Sequence, residues 1–354
     1  MIVHSKPTLD ADDYRGVMDV LRSGHLVQGE QVVGFENALS SFIGVKNGVA
    51  VSSGTAALHL SLIALGAGEG DEVIIPSYVC SALLNAIMYV NAVPVIADIN
   101  RSTFNIDVDN LKKRITKKTK VIIVPHMFGL PADIDEIVSL GIPVIEDCAQ
   151  SAGAKYQSRY TGSFGVCSIF SFYATKMLAT GEGGMILSND DRLVGIARDL
   201  RDYDEKDGYS LRYNYKMTDM QAALGISQLK KLPSFIERRK EIAGLYDGRL
   251  IVVFFPVPAV PEGREHIYYR YVLSLDDSSG FMKKMLRLGI GCRRPVYKPL
   301  HEYLGLSGYP VTQEVMARAV SIPLYPSLRD EEVRKIAAGM VDKLKVKREK
   351  RTQG

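Results

Sequence analysis

The sequence predicts an α/β protein: a mixed, mostly parallel sheet flanked by helices, followed by a smaller C-terminal α+β domain. Three observations lead there. Short apolar runs alternate with helical periodicities up to about residue 225. Those runs are mostly apolar throughout rather than at every second position, as in strands covered on both faces. Beyond residue 225 the pattern changes and helices become sparser.

Asp10 caps a helix running to about Arg22, with Gly24 as its stop. Gly29 precedes a second amphipathic run, Val32 to Phe42, closed by Gly44. Gly48 to Ser53 reads as a strand. TAALHLSLIALG follows as a helix, with Leu58, Leu62 and Leu65 on one face and Gly66 at its end. Val73 to Ala97 carries no charge, but Pro76 and Pro94 interrupt it and Asn85 and Asn91 dilute it. The part between the prolines is shorter than the ~20 apolar residues a membrane span needs. It reads as strand, turn, buried helix and strand. Lys120 to Pro125, Ile142 to Asp147, Val166 to Tyr173 and Gly184 to Ser188 supply four more strands. Ala222 to Ala243 reads as one long helix with a break at Pro233. Arg270 to Leu275 is strand-like, Phe281 to Leu288 a short helix ended by Gly289, and Glu331 to Leu344 a terminal helix. The expected division is a large domain over 1–244, a small one over 245–345 and a solvated, frayed tail over 346–354.

Composition fits that scheme. The 354 residues suit two domains at about 150 residues each. With 46% hydrophobic and 24% charged residues, the chain is neither disordered nor fibrous. The formal charge of +4 comes from the end of the chain, where Lys343, Lys345, Lys347, Arg348, Lys350 and Arg351 face a single acid, Glu349. The body is near neutral, so no nucleic-acid surface is expected. Four cysteines without CxxC spacing, and acids in place of an apolar leader, point to a reducing, cytoplasmic setting with no membrane partner.

The chemistry lies where strands end. In SSGTAALHL, Gly54 permits a tight turn, and Thr55 and Ala56 open a helix whose free N–H groups favour a phosphate. A plain helix cap by Ser53 or Thr55 explains the same triplet. In GIPVIEDCAQSAGA an apolar strand ends in Glu146 and Asp147, at the edge where open α/β sheets bind ligands. Asp147 there suits a protonated ring nitrogen, a metal or a turn cap. No histidine or second acid stands at ligand spacing nearby, which argues against a metal. In SIFSFYATKMLATGEGGMIL, Lys176 follows another strand among Phe170, Phe172, Tyr173, Met177 and Leu178. Partial burial turns a lysine amine into a nucleophile able to form a Schiff base. A phosphate cradle, an acid for a pyridine nitrogen and a lysine for an aldehyde are together the three grips on pyridoxal phosphate.

These segments resemble the DegT–StrS family of sugar aminotransferases, which have the fold of aspartate-aminotransferase-like pyridoxal-phosphate enzymes. The matching text includes RSGHLVQGEQVVGFE, SSGTAALHLSLIALGAGEGDEVIIPSY, VPHMFGLPADID, IEDCAQSAGA, GSFGVCSIFSFYATKMLATGEGGMILSND, NYKMTDMQAALG and SIPLYPSL. It runs in the family's order from about Pro7 to Leu328. The resemblance implies that Lys176 carries the cofactor and shuttles protons, and that Asp147 pairs with the pyridinium nitrogen. It further implies that Gly54, Thr55, Ala56 and Ser171 hold the phosphate, and that Gln150 touches the oxygen side of the ring. Asn214 would reach the phosphate of a neighbouring subunit, making the protein a homodimer with shared sites.

Departures from the family pattern bear on substrate. Cys80 stands where an aromatic residue usually stacks on the ring, with Tyr78 two positions earlier; it would still pack there with less area. Ala152 stands where the family often has histidine. Lys216 replaces an arginine and cannot clamp a carboxylate bidentately. Arg293 and Arg294, with Tyr297, fall in a stretch that lines the substrate side in relatives, where the arginines would meet a phosphate or carboxylate. His126 and His301 are read as hydrogen-bonded structural residues. The implied reaction moves an amino group, from glutamate, through pyridoxamine phosphate to a keto-sugar, nucleotide-linked, for polysaccharide or antibiotic synthesis. Competing readings are a sugar dehydratase of the same family, a non-catalytic cofactor-binding regulator, and a pyridoxal-phosphate lyase. The dehydratases carry histidine at the lysine position, so Lys176 argues against the first.

Overall fold

Successive strand residues point to opposite faces, and the buried side chains obey that rule through the whole central sheet. The computed structural model describes residues 1–250 and 258–351. Its strands are β1 (Asn47–Val51), β2 (Glu72–Pro76), β3 (Val93–Ala97), β4 (Thr119–Pro125), β5 (Val144–Asp147), β6 (Lys155–Tyr156), β7 (Arg159–Tyr160), β8 (Cys167–Ser171), β9 (Gly184–Ser188), β10 (Arg264–Glu265), β11 (Tyr271–Ser274) and β12 (Ala319–Ile322). Seven form one sheet in the order β1-β9-β8-β5-β4-β2-β3. Only β9 runs against its neighbours, so the sheet is mixed and mostly parallel, as the sequence predicts.

Val49, Val51, Val73, Ile75, Val121, Ile123, Ile145, Ile169 and Ile186 pack on one face. Ala50, Phe170, Met185 and Leu187 face the other way, against Phe35, Leu39, Leu229 and Leu232. Ile74, Ile122, Val124 and Val144 continue that second face toward Leu111, Ile134 and Ile137. A further apolar cluster gathers Tyr271, Leu273, Phe281, Met285, Ile322, Val333 and Ile336, and draws in Ile2, Ile242 and Ala243. It surrounds the antiparallel pair β11–β12.

Several boundaries follow the capping chemistry. Asp10 caps Ala11–Ser23 and Gly24 closes it in the left-handed region. The Asp219 carboxylate accepts from the Gly29, Gln31 and Val32 N–H groups at the start of Glu30–Ile43. Two expectations need correction. Pro233 does not break its helix, which runs unbroken over Asp219–Leu250. The last helix extends over Asp330–Arg351 rather than stopping at Leu344, because the run after it holds good helix formers and no glycine or proline. Residues 352–354 of the expected frayed tail lie outside the described residues. Helices over Val108–Arg114, Asp191–Leu200 and Pro310–Arg318 were not read from the sequence.

Candidate active site

The carboxyl ends of β1, β2, β4, β5 and β8 lie along one edge of the sheet, and the sequence-predicted residues follow them. β1 leads into Ser53, whose hydroxyl accepts from the Ala56 N–H at 3.1 Å and starts the helix Gly54–Ala64. Gly54 lies against the end of β8: a Cβ there would stand 2.9 Å from Ser171 Cβ and 3.3 Å from its hydroxyl. Only glycine lets these two segments meet, and the helix N-terminus with an adjacent serine hydroxyl suits a phosphate.

Glu146 and Asp147 are consecutive on β5, so they face opposite ways. Glu146 turns inward and is saturated. It accepts from the Gly162, Phe164 and Gly165 N–H groups at 2.7–2.9 Å and from His126 Nε2 at 3.0 Å. His126 Nδ1 accepts from the Ala132 N–H at 3.0 Å, so the ring is the Nε2-protonated tautomer. Burial alone would raise the Glu146 pKa, but His126 and the backbone donors outweigh it and hold it below the ordinary value. This corrects the expectation that no histidine or second acid stands close: His126, Glu146 and Cys148 place donor atoms within 4.8 Å of one another. Their hydrogen bonds already use both imidazole nitrogens and both carboxylate oxygens.

Asp147 turns toward Lys176. It is 7% exposed and accepts from the Ala149 N–H at 3.0 Å. Burial raises its pKa, against the pull of that N–H, Lys176 and His126. A desolvated carboxylate in that position fits a cationic ring nitrogen. Cys80 stands at the same place. Its side chain is open to solvent, yet desolvation raises its thiol pKa, with Lys176 opposing and Asp147 adding.

Lys176 sits on the β8–β9 connection. Because β9 returns antiparallel, the loop folds back over the end of β8. Its turns are fixed by Phe172 N–H to the Gly183 carbonyl (2.9 Å), Ala174 N–H to Gly181 (3.0 Å) and Lys176 N–H to Tyr173 (2.8 Å). Gly181 (φ 86°) and Gly183 (φ 152°) supply conformations that other residues rarely adopt. Gln150 spends its carbonyl oxygen on the Phe128 N–H at 2.9 Å, leaving its amide NH₂ for an oxygen of a ligand.

The remaining predicted residues divide. Arg294 donates to the Met316 carbonyl and acts on buried Tyr78, whose hydroxyl has no hydrogen-bond partner among the described residues. Arg293 pairs its backbone with Ser321, and its side chain is exposed, as is Tyr297 at 89%. Lys216 is held by Asp202 at 2.5 Å and Asp204 at 3.0 Å, so the structure gives its ammonium local partners rather than an open substrate site. Asn214 is exposed on an irregular segment tied to β1 by the Ser52 N–H to the Tyr215 carbonyl at 2.7 Å. Sequence reasoning missed Tyr269, which lies beneath the Lys176 amine. The cluster of tyrosines just before β11 was the available signal.

Comparison with known proteins identifies the family. The family described as the DegT/DnrJ/EryC1/StrS aminotransferase family matches residues 7–341. GDP-perosamine synthase of Escherichia coli O157:H7 is 34% identical over 350 residues, spanning 93% of this chain and 94% of that protein. The crystal structure of the aminotransferase TlmJ from Streptoalloteichus hindustanus superposes with a TM-score of 0.92 at 31% identity, covering 96% of this chain and 98% of that one. Spr1654 from Streptococcus pneumoniae, in its PLP form, gives 0.90 at 30% identity over 95% of this chain and 97% of that one. A match across nearly the whole chain places this protein in the DegT/DnrJ/EryC1/StrS aminotransferase family.

Proposed function

We propose that this aminotransferase moves an amino group from glutamate to the keto group of a nucleotide-linked sugar, for polysaccharide or antibiotic synthesis. The observation that carries the site assignment is the convergence of Lys176, Asp147 and Cys80 beside the Gly54–Ser171 cradle. Pyridoxal phosphate, when bound, supplies the electron sink for the proton shift. Gly54, Thr55 and Ser171 would hold its phosphate, joined by Ala56 where its N–H leaves the Ser53 hydroxyl. Asp147 would keep its ring nitrogen protonated, and the Gln150 NH₂ would be free for its ring oxygen. Cys80 would pack against the ring. Lys176 would anchor the cofactor and move the proton at Nζ. Asn214 completes the phosphate site of a second copy of this chain.

The sugar assignment draws on the similarity to GDP-perosamine synthase. Arg294 is the residue of this chain that we assign to reading such an acceptor. Four free thiols support a reducing, cytoplasmic setting. Among the described residues no helix is long and apolar enough to cross a membrane. Residues 245–345 form the smaller domain, whose core extends to Ile2, Ile242 and Ala243.

The test is incubation of the cofactor-loaded protein with glutamate, followed by quantitation of pyridoxamine phosphate and 2-oxoglutarate. Formation of both in equal amounts is expected, and borohydride should fix the cofactor on Lys176 in the starting protein. Absence of amine transfer from any amino acid would overturn the reading in favour of a dehydratase or a regulator. Nucleotide keto-sugars then serve as acceptors, and failure of all of them would move the substrate class elsewhere.

A further inference from the structure

Several contacts converge on Tyr269, whose side chain is 5% exposed. The Lys176 ammonium lies over its ring, with Nζ 5.4 Å from the centroid. The Arg270 guanidinium also faces the ring, with its carbon 4.7 Å from the centroid, and Nη2 donates to the phenol oxygen at 3.2 Å. Thr175, the residue before Lys176, hydrogen-bonds the phenol. Arg239 Nη1 donates to the Tyr269 carbonyl at 3.3 Å and to the Leu324 carbonyl at 2.9 Å. Arg270 holds both ring and hydroxyl, and Arg239 holds the backbone.

Arg270 is in turn held by the first residues of the chain. Its Nη1 donates to His4 Nδ1 at 3.3 Å, and His4 Nε2 lies 2.9 Å from Ser321 Oγ. A guanidinium can only donate, so Nδ1 accepts and Nε2 carries the proton. Burial, reinforced by Arg270 and Arg293, depresses the imidazole pKa to about 3, which keeps His4 neutral. The segment is anchored by backbone bonds on both sides of Ile2. The Ile2 N–H meets the Gly289 carbonyl and the Gly291 N–H meets the Ile2 carbonyl, each at 2.8 Å.

We propose that Tyr269 is a positioning residue for Lys176: its ring face seats the free amine, and the first residues of the chain fix that ring through His4 and Arg270. The inference rests on Lys176 being the cofactor-bearing lysine. A lysine stem has many rotamers, and a free amine must return to one place each time it acts. A ring quadrupole attracts a cation most strongly where water is excluded. The ring seats the ammonium form; once the proton leaves, the flat face still confines the amine and donates no hydrogen bond to its lone pair. The ring face carries the effect, so phenylalanine should replace tyrosine and leucine should not. His4 contributes only an acceptor for Arg270, so glutamine should replace it and alanine should not.

The experiment measures how fast pyridoxal phosphate with borohydride labels Lys176 in the cofactor-free protein, with occupancy read by peptide mass spectrometry. Wild type, Tyr269→Phe, Tyr269→Leu, His4→Gln and His4→Ala are compared, each checked by its thermal midpoint. Tyr269→Phe and His4→Gln are expected within about twofold of wild type, Tyr269→Leu slower by about tenfold and His4→Ala slower by about threefold. If Tyr269→Leu does not fold, the His4 pair decides alone. Wild-type rates in a folded Tyr269→Leu or in His4→Ala would overturn the proposal. So would a Tyr269→Phe protein as slow as the leucine variant, since that would place the effect on the hydroxyl. Failure to label Lys176 in wild type would instead remove the site assignment beneath it.

Discussion

Asp147 and Glu146 are adjacent carboxylates with opposite electrostatic fates. Glu146 is stabilised as an anion by its donors, and Asp147 is left desolvated. A carboxyl whose folded pKa lies above its unfolded one binds more protons when folded, so stability falls as pH rises through that window and the full cost remains above it. Asp147→Asn should therefore raise the thermal midpoint of the cofactor-free protein at neutral pH. It should also lower amine transfer on the order of 100-fold, as loss of an aligned charge does. A variant that is destabilised without cofactor, or fully active with it, would contradict this assignment. Asp147 and Lys176 were legible because each follows an apolar strand. The Glu146–His126 pair was not, because its bond crosses from β4 to β5, and Tyr269 was hidden by the long stretch of chain separating it from Lys176. The pairing of Lys216 was not legible either: sequence shows its motif but not the two aspartates that hold its ammonium.

The helix Asp219–Leu250 shows why a pattern rule gave way. Its first part packs Leu229, Leu232 and Ile236 against the sheet, and its later part packs Ile242, Ala243 and Tyr246 into the C-terminal cluster. Anchored in two cores, it stays helical through Pro233, where its own hydrogen bonding is interrupted. Gly225 marks a close crossing, since a Cβ there would stand 2.6 Å from the Phe35 ring. Pro233 is exposed and lacks the N–H that would meet the Leu229 carbonyl. Pro233→Ala should stabilise the protein by about 1–3 kcal/mol in denaturant unfolding. A loss of stability would show instead that the proline sets the angle between the two packed halves. The seven strands of the central sheet were legible because their apolar runs are uninterrupted, whereas the helix Asp191–Leu200 buries only Leu193, Val194 and Ala197, too few to stand out.

At the scale of the whole molecule, the residue that the family resemblance assigns to a second chain is Asn214. It is exposed, and the helix Ala11–Ser23 presents Tyr14, Met18 and Leu21 to solvent at i, i+4 and i+7, at 59%, 45% and 45% exposure. An apolar stripe of that spacing on a helix face suits burial against another protein surface. In a two-fold dimer each site would take Lys176 from one chain and Asn214 from the other. Lys176→Ala homodimers should then be inactive, and Asn214→Ala homodimers should bind pyridoxal phosphate weakly. Mixed dimers place both defects in one site and leave the other intact. After equal mixing and exchange, half the dimers are mixed and each has one working site, so about a quarter of wild-type activity should return. Recovery requires subunit exchange, which differently tagged chains monitor by co-purification. Mixed dimers that form without regaining activity would show that each chain builds its site alone, with Asn214 serving its own chain or none.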